Sequence, residues 1–190
     1  MSADLEGRLE EIVRASPTLM QVLERARDLE LPDWLIFSGA IYQPVLNRLT
    51  GRAADYGIKD YDLGYFDAAD VSYEAEDVVI RRVARAFAPP LREMVEVRNQ
   101  ARVHLWFEGK FGEPYTPLAN TGEALTRFVS STFAVGVRLD PDDRLKIVAP
   151  FGLDDLFALR LRPNPARPTN GFARTVASAK ARWPELVVEP

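Results

Sequence analysis

The sequence predicts an α+β fold in which a small β-sheet is flanked by helices. Amphipathic helical stretches and short strand-like runs follow one another in no regular alternation, and 47% of the 190 residues are hydrophobic. The irregular order favours α+β over a wound α/β fold, in which strands and helices would alternate. A chain of this length buries roughly 70% of the surface that its unfolded form exposes, so it has material for a substantial core.

One domain is expected to span residues 1–190, because the length suits a single globular unit and the sequence contains no internal repeat or low-complexity tract. Within this domain we expect three parts. They are a helical N-terminal segment (1–30), a core (about 31–165) and a C-terminal helix (about 170–183).

The chain is predicted to begin with two helices, over residues 3–15 and 18–29, since apolar side chains recur there at helical spacing. Leu31-Pro32-Asp33 ends the second helix, because the residue before a proline avoids the helical conformation. The apolar run 34–37 is too short for a helix and predicts a buried strand.

A glycine turn, Ser38-Gly39-Ala40, follows this strand and leads into a helix predicted over 40–49. Gly51 is suited to the end of that helix, where a left-handed conformation is common. After a loop over 52–59, alternating side chains predict a strand over 60–66 with one buried face.

The remaining elements are predicted from the same two periodicities and from local capping residues. Ser72 is a favourable N-cap, and two prolines end the helix that it starts. In order, we expect a helix over 73–87, a strand over 93–98, a helix over 99–107, strands near 133–139 and 144–149, a short helix from about 153 and a last helix over 171–182.

The composition excludes several classes of site. The chain has no cysteine and one histidine, His104, which excludes disulfides, thiol catalysis, cysteine-based zinc sites and multi-histidine metal sites. A metal must therefore be held by oxygen ligands, which favours Mg²⁺, Mn²⁺ or Ca²⁺. A net charge of −4 gives no electrostatic basis for non-specific nucleic-acid binding.

Membrane segments and secretion signals are not expected either. No apolar run approaches the ~18 residues that a membrane span requires. The acidic start of the sequence lacks the apolar stretch of a signal peptide, so we expect a cytoplasmic protein.

Three acidic residues on two predicted strands form the most informative pattern. Side chains alternate across a strand, so Asp60 and Asp62 share a face on which Gly64 adds no bulk. In the second strand, Glu96 and Arg98 lie opposite the core-facing valines. If the strands are neighbours, three carboxylates meet, and a cation such as Mg²⁺ would relieve their repulsion.

The glycine turn before the first helix of the core adds to this pattern. Backbone N–H groups at a helix N-terminus attract phosphate, and Gly39 allows close approach. The alternative is structural, because an Asp-x-Asp pair is also common on the solvent-facing surface of a sheet. The turn and the three acids together favour the functional interpretation.

In the order of these features the chain resembles the DNA polymerase β-type nucleotidyltransferase superfamily. It is more similar still to an uncharacterised bacterial nucleotidyltransferase-like family, whose recurring stretches match over roughly residues 34–165. The matching stretches are Gly57–Asp67 (GIKDYDLGYFD), Val97–Trp106 (VRNQARVHLW), Ala149–Phe157 (APFGLDDLF) and Arg162–Pro165 (RPNP).

This resemblance implies a small mixed β-sheet of the minimal nucleotidyltransferase type and a Mg²⁺-dependent transfer of NMP from an NTP. Mn²⁺ could replace Mg²⁺, and ATP is the expected donor. The resemblance makes Asp60, Asp62 and Glu96 the candidate metal ligands and catalytic residues, and Ser38 and Gly39 candidate nucleotide-binding residues. In the superfamily the third acid is most often aspartate.

Four further residues are candidate nucleotide contacts, each with a structural alternative. For Lys59 a solvent-exposed position is favoured, whereas Arg98 is equally suited to an ion pair with a carboxylate. Asn99 is also a suitable cap for the helix that it begins. His104 is also suited to a structural hydrogen bond.

Two other functions remain open at this point. The domain could bind a nucleotide or metal as a regulatory module without turnover, or it could be an interaction module with an acidic surface. The acceptor is unidentified; the acidic net charge favours a small molecule over a long nucleic acid.

Overall fold

The computed structural model describes residues 2–167 and 171–190, and within these residues five strands form the central sheet. The strands are β1 (Leu35–Phe37), β2 (Tyr61–Tyr65), β3 (Val95–Asn99), β4 (Gly136–Leu139) and β5 (Leu145–Val148). Their spatial order is β3-β2-β1-β4-β5. Only the β2–β3 pair of this sheet is parallel, so the sheet is mixed and the predicted α+β class is confirmed.

Eight α-helices surround the sheet in the described residues, joined by three 3₁₀ turns at Gln100–Leu105, Gly122–Arg127 and Ser131–Phe133. The α-helices are α1 (Ser2–Arg14), α2 (Pro17–Asp28), α3 (Gly39–Leu49), α4 (Tyr73–Ala86), α5 (Leu91–Met94), α6 (Phe107–Phe111), α7 (Asp154–Phe157) and α8 (Gly171–Arg182). A two-residue strand, β6 (Arg160–Leu161), pairs in parallel with β7 (Val187–Val188) near the end of the chain. Residue 170, where the C-terminal helix is predicted to begin, lies outside the described residues.

The elements begin and end for local reasons that the sequence makes visible. The hydroxyl of Ser72 accepts a hydrogen bond from the backbone N–H of Ala75 and so caps α4. Gly51, directly after the C-cap of α3, has a φ of +68°, which glycine adopts at little cost.

The region between α4 and β4 is more irregular than predicted. The turn α5 precedes β3, and a 3₁₀ turn followed by the short α6 replaces the helix predicted over 99–107. Asn99 ends β3 and its side chain already bonds the backbone N–H of Ala101, which favours a tight connector over a regular helix.

The main core joins both ends of the chain to the sheet. Leu9 and Val13 of α1 and Trp183, just after α8, are fully buried in one cluster with the core-facing residues of β2. The indole N–H of Trp183 donates to Asn47 Oδ1 at 2.9 Å, which ties the end of the chain to α3. Among the described residues, no helix is both long and apolar enough to cross a bilayer.

Candidate active site

The register of β2 and β3 places the predicted acidic residues side by side. Asp62 is the direct partner of Glu96 in this parallel pair, and Gly64 is the partner of Arg98. Tyr61 and Leu63 point into the core, where they are at most 2% exposed, so Asp62 and Glu96 share the opposite face. Asp60 lies one residue before β2.

Phe37 at the end of β1 forms the floor next to the acidic residues. It pairs with Asp62 across the sheet, and its ring covers Gly64. A Cβ at position 64 would lie 2.4 Å from Cε1 of Phe37, so only glycine leaves room for the ring.

Helix α3 begins beside these carboxylates, directly after β1. Ser38 has a φ of +67°, a conformation that costs a non-glycine residue of order 1–3 kcal/mol and is found mainly at functional sites. Its hydroxyl donates a hydrogen bond to Asp62. Gly39 follows, and a Cβ there would lie 2.4 Å from Nε2 of the buried Gln43. The first N–H groups of α3 have no partner within the helix and can receive an anion.

The electrostatics confirm that the carboxylates act on one another. Burial, together with the negative charges of Asp60 and Glu96, raises the pKa of Asp62 to about 6, whereas the Ser38 hydroxyl and Arg98 oppose this increase. Within residues 2–167 and 171–190, Asp60, Asp62 and Glu96 form no ion pair with a basic side chain. Their negative charge is therefore available to a cation.

The fit of these residues to a metal depends on what else binds there. In the described parts of the chain, no three His, Asp or Glu side chains are arranged to hold an ion by themselves. Mg²⁺, however, is usually held by one or two carboxylates together with substrate phosphates and water. Asp60 and Asp62, beside the N-terminus of α3, supply a donor set of that kind.

A cavity of about 380 Å³ opens next to the carboxylates. Asp62, Glu96 and Arg98 lie at its edge, and most of its wall is apolar. The aromatic part of the wall comprises Phe37, Trp106, Phe107, Tyr115 and Phe128.

Two arginines from distant segments complete the wall of this cavity. Arg127 is paired with Glu123, and Arg167 with Glu113. The guanidinium of Arg167 lies 5.2 Å from the ring centre of Phe107. Neither Arg127 nor Arg167 was expected at a site, because neither belongs to a periodic pattern or a motif in the sequence.

Comparison with known proteins identifies the family. A family model described as "Nucleotidyltransferase" matches residues 24–188, which is most of the chain. The protein belongs to this nucleotidyltransferase family. The resemblance found in the sequence is thereby confirmed, and the protein is an enzyme of the nucleotidyltransferase class.

A solved structure supports the fold of this nucleotidyltransferase. It is an NMR structure described as revealing a CCA-adding enzyme head domain, and it superimposes with a TM-score of 0.73. The two proteins are 24% identical, and the alignment covers 95% of each chain. At this identity the likeness shows the fold alone. A search of curated proteins finds no match.

Two of the predicted nucleotide contacts in the nucleotidyltransferase, Asn99 and His104, do not line the cavity. Asn99 is 1% exposed, and its side chain bonds the backbone of Asp67 and Ala101, so the prediction of a nucleotide contact is wrong and the capping alternative is correct. His104 is half-buried and does not line the cavity, and its Nδ1 atom is buried without a hydrogen-bond partner. A contact of His104 with a nucleotide therefore stays a prediction.

The other two candidate contacts remain accessible. Lys59 is exposed in the loop before β2, outside the cavity. Arg98 lies on the cavity, and its guanidinium donates to the carbonyl of Val97 at 2.7 Å. In the described part of the chain, Arg98 forms no ion pair with a carboxylate, although its charge lowers the pKa of Asp62.

Proposed function

We propose that this nucleotidyltransferase transfers an NMP group from an NTP to an acceptor hydroxyl in a Mg²⁺-dependent reaction that releases pyrophosphate. The observation that carries the proposal is the juxtaposition of Asp62 and Glu96 on adjacent strands, with Asp60 close by and with the N-terminus of α3 next to them. These carboxylates are free of basic partners, so they can serve a cation and a reacting hydroxyl.

Each part of the site has a role in this reaction. Asp60 and Asp62 would hold Mg²⁺, and Ser38, Gly39 and the first amides of α3 would bind the triphosphate. When bound, Mg²⁺ would offset negative charge on the phosphates and on the leaving pyrophosphate. Glu96 would orient the acceptor hydroxyl and accept its proton.

ATP is the donor that we propose to test first, and Mn²⁺ should replace Mg²⁺. We expect the acceptor to be small enough to enter the cavity beside Glu96. The CCA-adding enzyme named for the structural relative suggests that nucleic-acid ends belong in the same panel of acceptors.

The direct test is release of pyrophosphate from each NTP in the presence of Mg²⁺ and a panel of hydroxyl-bearing acceptors. Asp62→Asn should lower the rate by about two orders of magnitude, which corresponds to about 2.7 kcal/mol of transition-state stabilisation. Asp142→Asn is the matched control, because Asp142 is an exposed acid paired with Arg144. Equal rates in the two variants would refute the assigned role of Asp62.

The regulatory alternative that the sequence left open differs from this proposal in one measurable property, which is turnover. A regulatory domain could bind nucleotide through the same helix N-terminus without turnover. Calorimetry with NTP and Mg²⁺ separates the two functions, since the regulatory domain would bind the nucleotide and form no pyrophosphate with any acceptor.

A further inference from the structure

The cavity and the start of α3 lie at opposite ends of the row of carboxylates. Along β2 the accessible face presents Asp60, Asp62 and then Gly64. β1 runs antiparallel to β2 with Phe37 opposite Asp62, so the chain continues from Phe37 towards Asp60 as it enters α3. The cavity extends the other way, since Arg98, the partner of Gly64, lies on it.

In-line phosphoryl transfer requires the leaving group and the acceptor to bind at different ends of this row. The attacking oxygen and the leaving oxygen lie on opposite sides of the reacting phosphorus. With pyrophosphate held at the N-terminus of α3, the acceptor hydroxyl must approach from the side of Glu96, where the cavity opens. The cavity is therefore on the acceptor side of the reaction.

The wall of the cavity indicates the chemistry of the acceptor. Phe107 and Tyr115 have ring centres 4.5 Å apart, and Trp106 lies 6.1 Å from Phe107, so their rings form a continuous aromatic surface. Such surfaces bind flat heteroaromatic rings by stacking, worth about 1–3 kcal/mol per base. Of the three cavity arginines only Arg98 lacks a carboxylate partner within the described residues, so it is available to a phosphate.

We propose that the cavity binds the acceptor as a nucleoside unit, with its base against the aromatic wall, its phosphate at Arg98 and a ribose hydroxyl towards Glu96. This assignment rests on the proposed nucleotidyl transfer. The ribose oxygen forms a bond to the α-phosphorus of the NTP, and the bond between that phosphorus and the oxygen bridging to the β-phosphate breaks. Pyrophosphate leaves, and the hydroxyl proton passes to Glu96.

The nucleoside unit can be a free nucleotide or the 3′ end of a strand. Beyond the cavity, the aromatic surface continues to Phe111, which is 53% exposed. The ring centres of Phe111 and Phe107 are 4.6 Å apart, and the ammonium group of Lys110 lies over the Phe111 ring. A second base of a strand could stack there. A free nucleotide and a strand end would therefore make the same contacts in the cavity, and only the strand end would also stack on Phe111.

Calorimetry on the full chain tests the assignment with adenosine, AMP and a five-nucleotide RNA that has a free 3′ hydroxyl, each with and without a saturating non-hydrolysable ATP analogue and Mg²⁺. We expect AMP or the RNA to bind with the analogue already present. Tighter binding of the RNA would identify a strand end as the acceptor, and equal or tighter binding of AMP would identify a free nucleotide.

Two variants locate the binding. Trp106→Ala should weaken binding of AMP by about 5- to 150-fold, which corresponds to the loss of one stacking contact. Phe151→Ala, at an exposed aromatic residue outside the cavity, should have no effect. Arg98→Ala should remove the preference for AMP over adenosine, and Arg25→Ala, at another exposed arginine, should leave it. Arg98 is exposed, so its variant is expected to fold.

Three results would overturn the assignment. The first is competition between AMP and the ATP analogue, which would make the cavity the site of the donor base. The second is failure of adenosine, AMP and the RNA to bind at all. The third is binding of AMP that the Trp106→Ala substitution leaves unchanged. Binding of the analogue itself tests the proposed function, so loss of that signal is distinguishable from failure of the nucleoside assignment.

Discussion

Asp62, a proposed metal ligand, lowers the stability of the folded protein at neutral pH. Its pKa is raised to about 6 in the folded protein, against 3.8 ordinarily. Between these values the folded state holds a proton that the unfolded state has released, so the free energy of unfolding falls as pH rises through this window. Above pH 6 the destabilisation is complete.

Asp62→Asn should therefore stabilise the metal-free protein at pH 7.5 by about 2 kcal/mol, and the difference should disappear below pH 4. Urea unfolding at a series of pH values measures this directly. Added Mg²⁺ should narrow the difference, because it stabilises the carboxylate only in the wild type. A variant that is no more stable than the wild type at pH 7.5 would contradict the position of Asp62 among like charges.

Gly64 is needed because the ring of Phe37 occupies the place of a side chain. Gly64→Ala should lower the free energy of unfolding by about 1–3 kcal/mol, as overpacking does in a well-filled site. Gly109→Ala is the control, since a Cβ there meets nothing within 4 Å. Thermal melts of both variants test this; an equal effect of the two would show that Phe37 moves aside freely.

At the level of the elements, one buried ion pair fixes β3 to the rest of the molecule. Glu76 of α4 is 3% exposed; it pairs with Arg102 at 2.6 Å and accepts a hydrogen bond from the backbone N–H of Asn99. These contacts hold the end of the strand that carries Glu96 and the 3₁₀ turn that leads to the aromatic wall.

Arg102→Ala should destabilise the protein by about 3–5 kcal/mol, because it leaves the buried carboxylate of Glu76 without its partner. Arg81→Ala removes an exposed ion pair with Asp77 from the same helix and should cost at most about 1 kcal/mol. Chemical denaturation of the two variants side by side measures the contrast. Similar losses would show that the Glu76 pair is solvated.

Elements with a strong local signal could be predicted from the sequence. The alternation in β2 determines which face Asp62 takes, and Ser72 has the cap chemistry that begins α4. For Asn99 the sequence favours a cap over a nucleotide contact, and the hydrogen bonds of its buried side chain to Asp67 and Ala101 agree with the cap.

The cavity could not be predicted, because long-range contacts assemble it. The side chain of Asn164 donates hydrogen bonds to the carbonyls of Thr126 and Phe128, and this brings the segment before Arg167 against the loop that carries Arg127. No periodic pattern connects residues that lie this far apart in the sequence.

In the whole molecule, the N-terminal helices share a core with the sheet. Leu9 is fully buried in the main cluster, and α1 packs against α3, the helix whose N-terminus faces the carboxylates. We therefore propose that residues 1–190 unfold as one cooperative domain.

Leu9→Ala should cost about 2–5 kcal/mol, the usual loss for a large-to-small change in a core. Calorimetry should still show a single transition whose calorimetric and van 't Hoff enthalpies agree, because α1 has no core of its own. Two resolved transitions, with only one shifted by the substitution, would show that the N-terminal helices fold separately.

The parallel pairing of β2 with β3 also sets where this chain can change in length. Each strand is only five residues long, and in each one acid lies between core-facing residues. Inserting or deleting one residue inside either strand would therefore bury a carboxylate and expose Leu63 or Val97. The exposed stretch 68–70, which lies between the strands, carries no such constraint. Length variation among relatives should therefore collect in that connection, and it is the natural place to graft a tag.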